Sequence, residues 1–188
     1  MPKHLPKLND LTSHIALYDS EHAYEQLFKY LFPSLSRFCY CLLKSHELAE
    51  EVASDVMIML WRKRGTLLEI ANIKVYAFVI AKNLSLNMLS KNSRQELVSI
   101  DEIKIEIALD HLNPEQILIN DELKQKLEQA THTLPGRCQL VFKLIKEDGL
   151  SYKEVAEILN ISVKTVDAHL VAALKKLSSI LKSDFKLM

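Results

Sequence analysis

Apolar residues recur at steps of three and four along most of this chain, the spacing that gathers them on one face of a helix. The pattern predicts a first helix over about residues 20–44, interrupted near Pro33, with Tyr24, Leu27, Phe28, Leu31, Phe32, Leu35 and Phe38 inward. A second helix starts near His46, where Leu48, Val52, Val56, Met59 and Leu60 form a stripe and Glu47, Glu50, Glu51 and Asp55 face away. Its acids come first and its bases, Arg62, Lys63 and Arg64, come last before Gly65, as the helix dipole favours. A third, over about residues 74–89, combines Val75, Phe78, Val79, Ala81 and Leu84 with Lys82, Asn83 and Asn87. From residue 92 to 113 the period fades into polar and acidic sequence, which predicts a linker. After Pro114 helices resume, over about residues 115–133 and 135–146, with Pro135 in a first turn and Gly149 past an end.

The next stretch, residues 148–170, spells two helices around a tight turn. Ser151 is an N-cap with Glu154 three residues on, a capping box, and Val155, Ala156, Ile158 and Leu159 follow as a buried face. Asn160 and Ile161 make the turn, and Ser162 opens the second helix. There Val163, Val166, Leu170, Leu174 and Leu177 form the expected inward stripe. The other face carries Lys164, Thr165, Asp167, Ala168, His169, Val171 and Ala172. This is a helix-turn-helix, and small apolar groups beside Lys and Thr are what contact with thymine methyls in a major groove requires. Packing of Val171 on a neighbouring helix is the competing use of that side chain.

Composition supports an all-α chain. Only 3 glycines and 5 prolines occur in 188 residues, so β-turns are scarce, while an apolar fraction of 48% is ample for a core. No apolar run approaches the roughly 20 residues needed to span a bilayer, and the first ten residues lack a signal peptide's apolar segment, so a cytoplasmic location is expected. Cys39, Cys41 and Cys138 lack metal-ligand spacing and are expected as reduced, buried or half-buried thiols. No Gly-rich phosphate loop, HExxH or GxSxG occurs, and His4, His14, His22, His46, His111 and His132 are scattered. No catalytic residue, metal site or cofactor is therefore expected. Charge balances overall but not locally: residues 1–94 carry 12 basic and 9 acidic groups, residues 95–128 carry 3 and 9, and residues 129–188 carry 9 and 6. Two mildly basic ends around an acidic middle describe two modules and a connector.

Two segments carry a resemblance. His46-Glu-Leu-Ala-Glu-Glu-Val-Ala-Ser-Asp-Val-Met-Ile-Met-Leu-Trp-Arg-Lys-Arg64, followed by Val75-Tyr-Ala-Phe-Val-Ile-Ala-Lys-Asn-Leu84, resembles the core-binding and promoter-melting part of extracytoplasmic-function sigma factors of the sigma-70 family. Leu134-Pro-Gly-Arg-Cys-Gln-Leu-Val-Phe142, Gly149-Leu-Ser-Tyr-Lys-Glu-Val-Ala-Glu-Ile-Leu159, Ser162-Val-Lys-Thr-Val166 and Ala173-Leu-Lys-Lys-Leu177 resemble the promoter-reading domain of the same family.

The resemblance implies two helical domains joined by a flexible linker: residues 1–94 for core polymerase binding and promoter melting, residues 95–113 as linker, and residues 114–188 with the helix-turn-helix. It implies core RNA polymerase and promoter DNA as partners, an anti-sigma factor as a further one, and no membrane insertion. Asp55, Trp61, Arg62 and Lys63 would meet the polymerase. Lys82, Asn83, Asn87, Lys91 and Arg94 would hold the displaced strand of the downstream element, since single-strand capture needs cations for phosphates and a pocket for an unstacked base. The exposed face from Lys164 to Ala172 would read the upstream element. Two other readings stay open on the residues alone: a helix-turn-helix regulator with residues 1–113 as a sensor or dimerisation module, and a helical protein–protein adaptor.

Overall fold

The computed structural model describes residues 8–93, 130–131 and 133–185, and every regular element among them is helical. The chain divides into two compact units, residues 1–97 and residues 98–188. Residues 92–93, where the expected linker begins, are the helical end of the first unit's last helix, and the rest of that linker, Arg94 and the expected helix from residue 115 up to residue 129 lie outside the described residues.

The first unit contains α1 (Leu8–Tyr18), α2 (Glu21–Leu43), α3 (His46–Arg62), a 3-10 helix (Arg64–Glu69) and α4 (Ile73–Ser93). Ser20 caps α2 by accepting from the Ala23 amide at 3.2 Å, and Ser45 caps α3 by accepting from Leu48 at 3.3 Å. Between them Lys44 adopts a left-handed conformation (φ 58°), which turns the chain back in two residues. Leu27, Leu31 and Leu35 are fully buried at steps of four along α2, and Phe38 meets Phe78 of α4 at 5.1 Å between ring centroids. The predicted break at Pro33 does not occur. Pro33 faces solvent while Leu31 and Leu35 on either side are in the core, and their burial outweighs the roughly 3 kcal/mol cost of a proline inside a helix. Phe28 and Phe32, expected inward, are half-buried and stack on each other at 4.8 Å.

Helix α1 has no counterpart among the predicted elements. It packs on α2 and the 3-10 helix through Leu11 and Ile15, and an ion pair from Arg64 to Asp19 ties the α1–α2 corner to the end of α3.

The second unit contains α5 (Gly136–Lys146), α6 (Tyr152–Leu159) and α7 (Val163–Phe185). Gly149 takes a φ of +66° after α5, a conformation that costs other residues dearly, and lets the Leu150 amide reach back to the Leu144 carbonyl at 3.0 Å. The capping box forms as expected: Glu154 N–H donates to Ser151 Oγ at 3.3 Å, and the Ser151 amide donates to Glu154 Oε2 at 2.7 Å. Asn160 closes α6 in the left-handed region (φ 54°), and Ser162 caps α7 by accepting from Thr165 N–H at 3.0 Å. The buried seam of α7 is Val166, Leu170, Ala173 and Leu177. Val163 and Leu174, expected on it, are each 43% exposed. Steps of four, three and four keep the other positions in line, whereas Leu174 is turned about 100° from Ala173 and Val163 lies in the open first turn. All three cysteines are buried, as expected for reduced core thiols.

If α1 is an integral part of the first unit, Ile15→Ala should cost about 2–5 kcal/mol by chemical denaturation, the range for emptying a fully buried aliphatic site. A change below about 0.5 kcal/mol, typical of a surface position, would show that α1 contributes nothing.

Candidate nucleic-acid interface

Helix α7 owes its outward face to its buried one. With Val166 and Leu170 in the core, Lys164, Asp167, Ala168, Val171 and Ala172 are left exposed on one side of the first two and a half turns. Val171 is 40% exposed, so its methyls are available to a ligand rather than buried on a neighbouring helix. The remaining two predicted readers are half-buried. Thr165 shares a 2.8 Å hydrogen bond with the Ser162 hydroxyl. His169 has Nδ1 3.6 Å from Cys138 Sγ on α5. Tyr152 stands exposed in the first turn of α6. Together these groups offer one long cation, a carboxylate and several small apolar surfaces, which matches base-edge and methyl contact better than phosphate binding alone.

In the first unit the predicted strand-binding residues separate. Asn83, Asn87 and Lys91 are exposed along α4, and Arg94 lies outside the described residues. Lys82 requires a correction: it is only 8% exposed and shares the inner side of α4 with Ala81 and the fully buried Ser85. The stripe Phe78, Ala81, Ser85 turns Lys82 inward with it, and desolvation holds its ammonium pKa below the usual lysine value. Sequence reasoning missed two lysines placed beside tyrosines near the start of α4. Lys63 Nζ donates to Tyr76 Oη at 3.4 Å, and Lys74 Nζ lies 5.8 Å from the centre of the Tyr30 ring. Asn72 caps α4 there, its Oδ1 accepting from the amides of Lys74 and Val75 at 3.1 and 3.2 Å. Single strands need this combination of positive charge and ring faces.

The predicted protein-docking residues lie on α3. Asp55, Arg62 and Lys63 are exposed, and Ile58, 45% exposed, sits between Asp55 and Arg62 on the same helical stripe. Trp61 is half-buried, with Tyr24 at 4.8 Å and the Arg64 guanidinium 4.8 Å from its ring centre. Those neighbours make it an anchor that closes the C-terminus of α3, where Arg64 also donates to the Trp61 carbonyl at 3.3 Å. No group of three or more metal-ligating side chains occurs among the described residues.

Comparison with known proteins matches residues 27–95 to sigma-70 region 2 and residues 124–177 to sigma-70 region 4. The chain is 28% identical over 130 residues to the ECF RNA polymerase sigma-E factor of Escherichia coli (strain K12), covering 65% of this chain and 68% of the relative. It is 26% identical over 137 residues to the ECF RNA polymerase sigma factor SigW of Bacillus subtilis (strain 168), covering 69% and 73%. Among solved structures, the sigma factor RpoE of Bartonella quintana, co-crystallised with the anti-sigma factor NepR, superposes with a TM-score of 0.60 at 24% identity, over 86% of this chain and 98% of that one. CnrH in complex with the cytosolic domain of CnrY gives 0.58 at 18% identity, over 94% and 97%. At these identities the structural likeness establishes the fold alone.

The burial of Lys82 has a pH signature. Its folded-state pKa is lowered from 10.5, so the unfolded chain holds that proton more tightly and the cost of burying the ammonium is greatest below the folded pKa. Lys82→Met should therefore raise stability at neutral pH, with the gain shrinking as pH rises toward 10.5. Denaturation curves at a series of pH values check this; a loss of stability at neutral pH would place Lys82 in a favourable contact instead.

Proposed function

The chain belongs to the extracytoplasmic-function group of the sigma-70 family, and from that premise we propose that it is a dissociable specificity subunit, which binds core RNA polymerase and directs it to selected promoters. The observation that carries the proposal is the pairing, in one chain and in family order, of a region 2 match over residues 27–95 with a region 4 match whose helix-turn-helix leaves a reading face exposed. The polymerase supplies the catalysis, and this chain contributes binding and selection.

In this proposal the stripe Asp55, Ile58 and Arg62, with Lys63 beside it, docks on the polymerase, Ile58 adding apolar area and the charges setting orientation. Trp61 supports that face from behind. Helix α4 meets the displaced strand of the downstream element: Asn83, Asn87 and Lys91 line its exposed side, and Lys74 supplies charge beside the Tyr30 ring at its start. Helix α7 enters the major groove of the upstream element with Lys164 near phosphate and Asp167, Ala168, Val171 and Ala172 toward base edges; Thr165 and His169 flank them. The solved relatives were seen with the anti-sigma factor NepR and with the cytosolic domain of CnrY, and we propose a regulator of that class for this chain as well. No helix among the described residues is long and apolar enough to cross a membrane. The proposed place of work is the cytoplasm, with the polymerase.

Mixing the full chain with bacterial core polymerase and promoter-bearing templates tests the proposal. Transcripts that start at defined promoters only when the chain is present are expected; promoter-independent initiation alone would overturn it. Each end of the chain carries a net excess of only three positive charges, so few counterions are released and the chain alone should bind duplex DNA weakly at physiological salt. Within the complex, Lys164→Ala should weaken all promoters about equally and reduce the salt slope by roughly one. Val171→Ala should change preference among upstream sequences, by about 1–3 kcal/mol for a true methyl contact. Val171→Ala with lowered melting temperature and unchanged preference would remove it from the reading face.

A further inference from the structure

The seam between α5 and α7 mixes short apolar side chains with long ones. Cys138, Ala173 and Leu177 form one cluster with Ala130 and Leu134, and Phe142 and Ile180 pack against it. Such contacts set how closely two helices approach and which face of α7 is buried, but dispersion has no preferred direction and leaves small rotations about the helix axis soft. Two contacts with direction supplement them. His169 Nδ1 lies 3.6 Å from Cys138 Sγ, and Lys176 Nζ donates to the Thr133 carbonyl just ahead of α5. His169 and Lys176 are seven residues apart and so share one face of α7. His169 also sits among the proposed readers, next to Ala168, four residues after Thr165 and three before Ala172.

We infer that the Cys138–His169 contact fine-tunes the rotation of α7 within the limits its buried seam allows, so that Cys138, on a different helix from every proposed reader, is a positioning residue for upstream promoter selection. The inference rests on the promoter-reading function proposed above. The thiol suits the task. It is 6% exposed, and burial raises its pKa although the Lys176 charge pulls the other way, so it stays a neutral S–H group able to pair with either tautomer of the imidazole. Losing the contact leaves the apolar seam in place and removes a directional restraint on it. The side chains of Ala168, Val171 and Ala172 then sample a wider arc, and base discrimination falls while phosphate attraction persists.

The test uses the full chain with core polymerase and two promoters that differ by one upstream base pair. Their transcript ratio cancels any loss of active protein, which separates positioning from folding. Cys138→Ala should reduce the ratio by roughly fivefold, the low end of what one base contact discriminates. Cys138→Ser, which keeps a hydrogen-bonding group of similar size, should recover most of it. The ring-nitrogen NMR shifts of His169 should move in Cys138→Ala and return toward the original in Cys138→Ser. An unchanged ratio in Cys138→Ala, or equal loss in the Ala and Ser variants, would overturn the inference and reduce the contact to packing. Absence of any promoter-dependent transcript from the unaltered chain would instead overturn the function on which it rests.

Discussion

The rotation of α7 about its own axis is the constraint on which the proposed chemistry depends. Val166, Leu170, Ala173 and Leu177 must leave water together, and once they do, the geometry of 3.6 residues per turn leaves no choice about which side chains face out. Full burial of a Val or Leu side chain is worth roughly 1.5–3 kcal/mol, more than any single exposed contact on the far side. The reading face is thus a by-product of the core. The capping box at Ser151 and the left-handed Asn160 serve the same end, because they hold α6 and the turn at the place where α7 must begin.

The first unit obeys a related logic with aromatic groups at its ends. Tyr24, Trp61 and Arg64 close the C-terminus of α3, and the Arg64–Asp19 pair carries that closure to the corner between α1 and α2. This leaves the exposed stripe through Asp55, Ile58 and Arg62 on a rigid helix, which lowers the entropy a partner must remove on docking. Balanced overall charge fits the proposed role, in which specificity would reside in shape and a few placed groups and the assembled polymerase would supply most of the attraction to DNA.

Much of this was legible in the sequence wherever one physical signal dominated. Strong apolar periods, serine caps and the dipole-matched charges of α3 located most of the described helices to within a few residues, and the capping box formed as written. Failures arose where two signals competed. Pro33 carries a local helix-breaking signal that the buried leucines around it override. Helix α1 buries only Leu11, Thr12 and Ile15, of which two are apolar, too short a period to stand out among polar residues, and its stability comes from tertiary packing. Lys82 looked like a solvent-facing cation because its charge was weighed and its angular position between Ala81 and Ser85 was not. Leu174 shows the reverse error, an apolar residue assigned inward by type although its neighbour Ala173 holds the seam. The pairing of Cys138 with His169 spans 31 residues and had no sequence signal at all.

Footprinting on a promoter with and without core polymerase tests the central claim most directly, because it asks both units to act at once. The account predicts that the chain and the polymerase together protect an upstream element and make thymines of the downstream element reactive to permanganate, with neither effect when either component is omitted. Strong, sequence-specific protection by the chain alone, or upstream protection without downstream opening under any template condition, would contradict it.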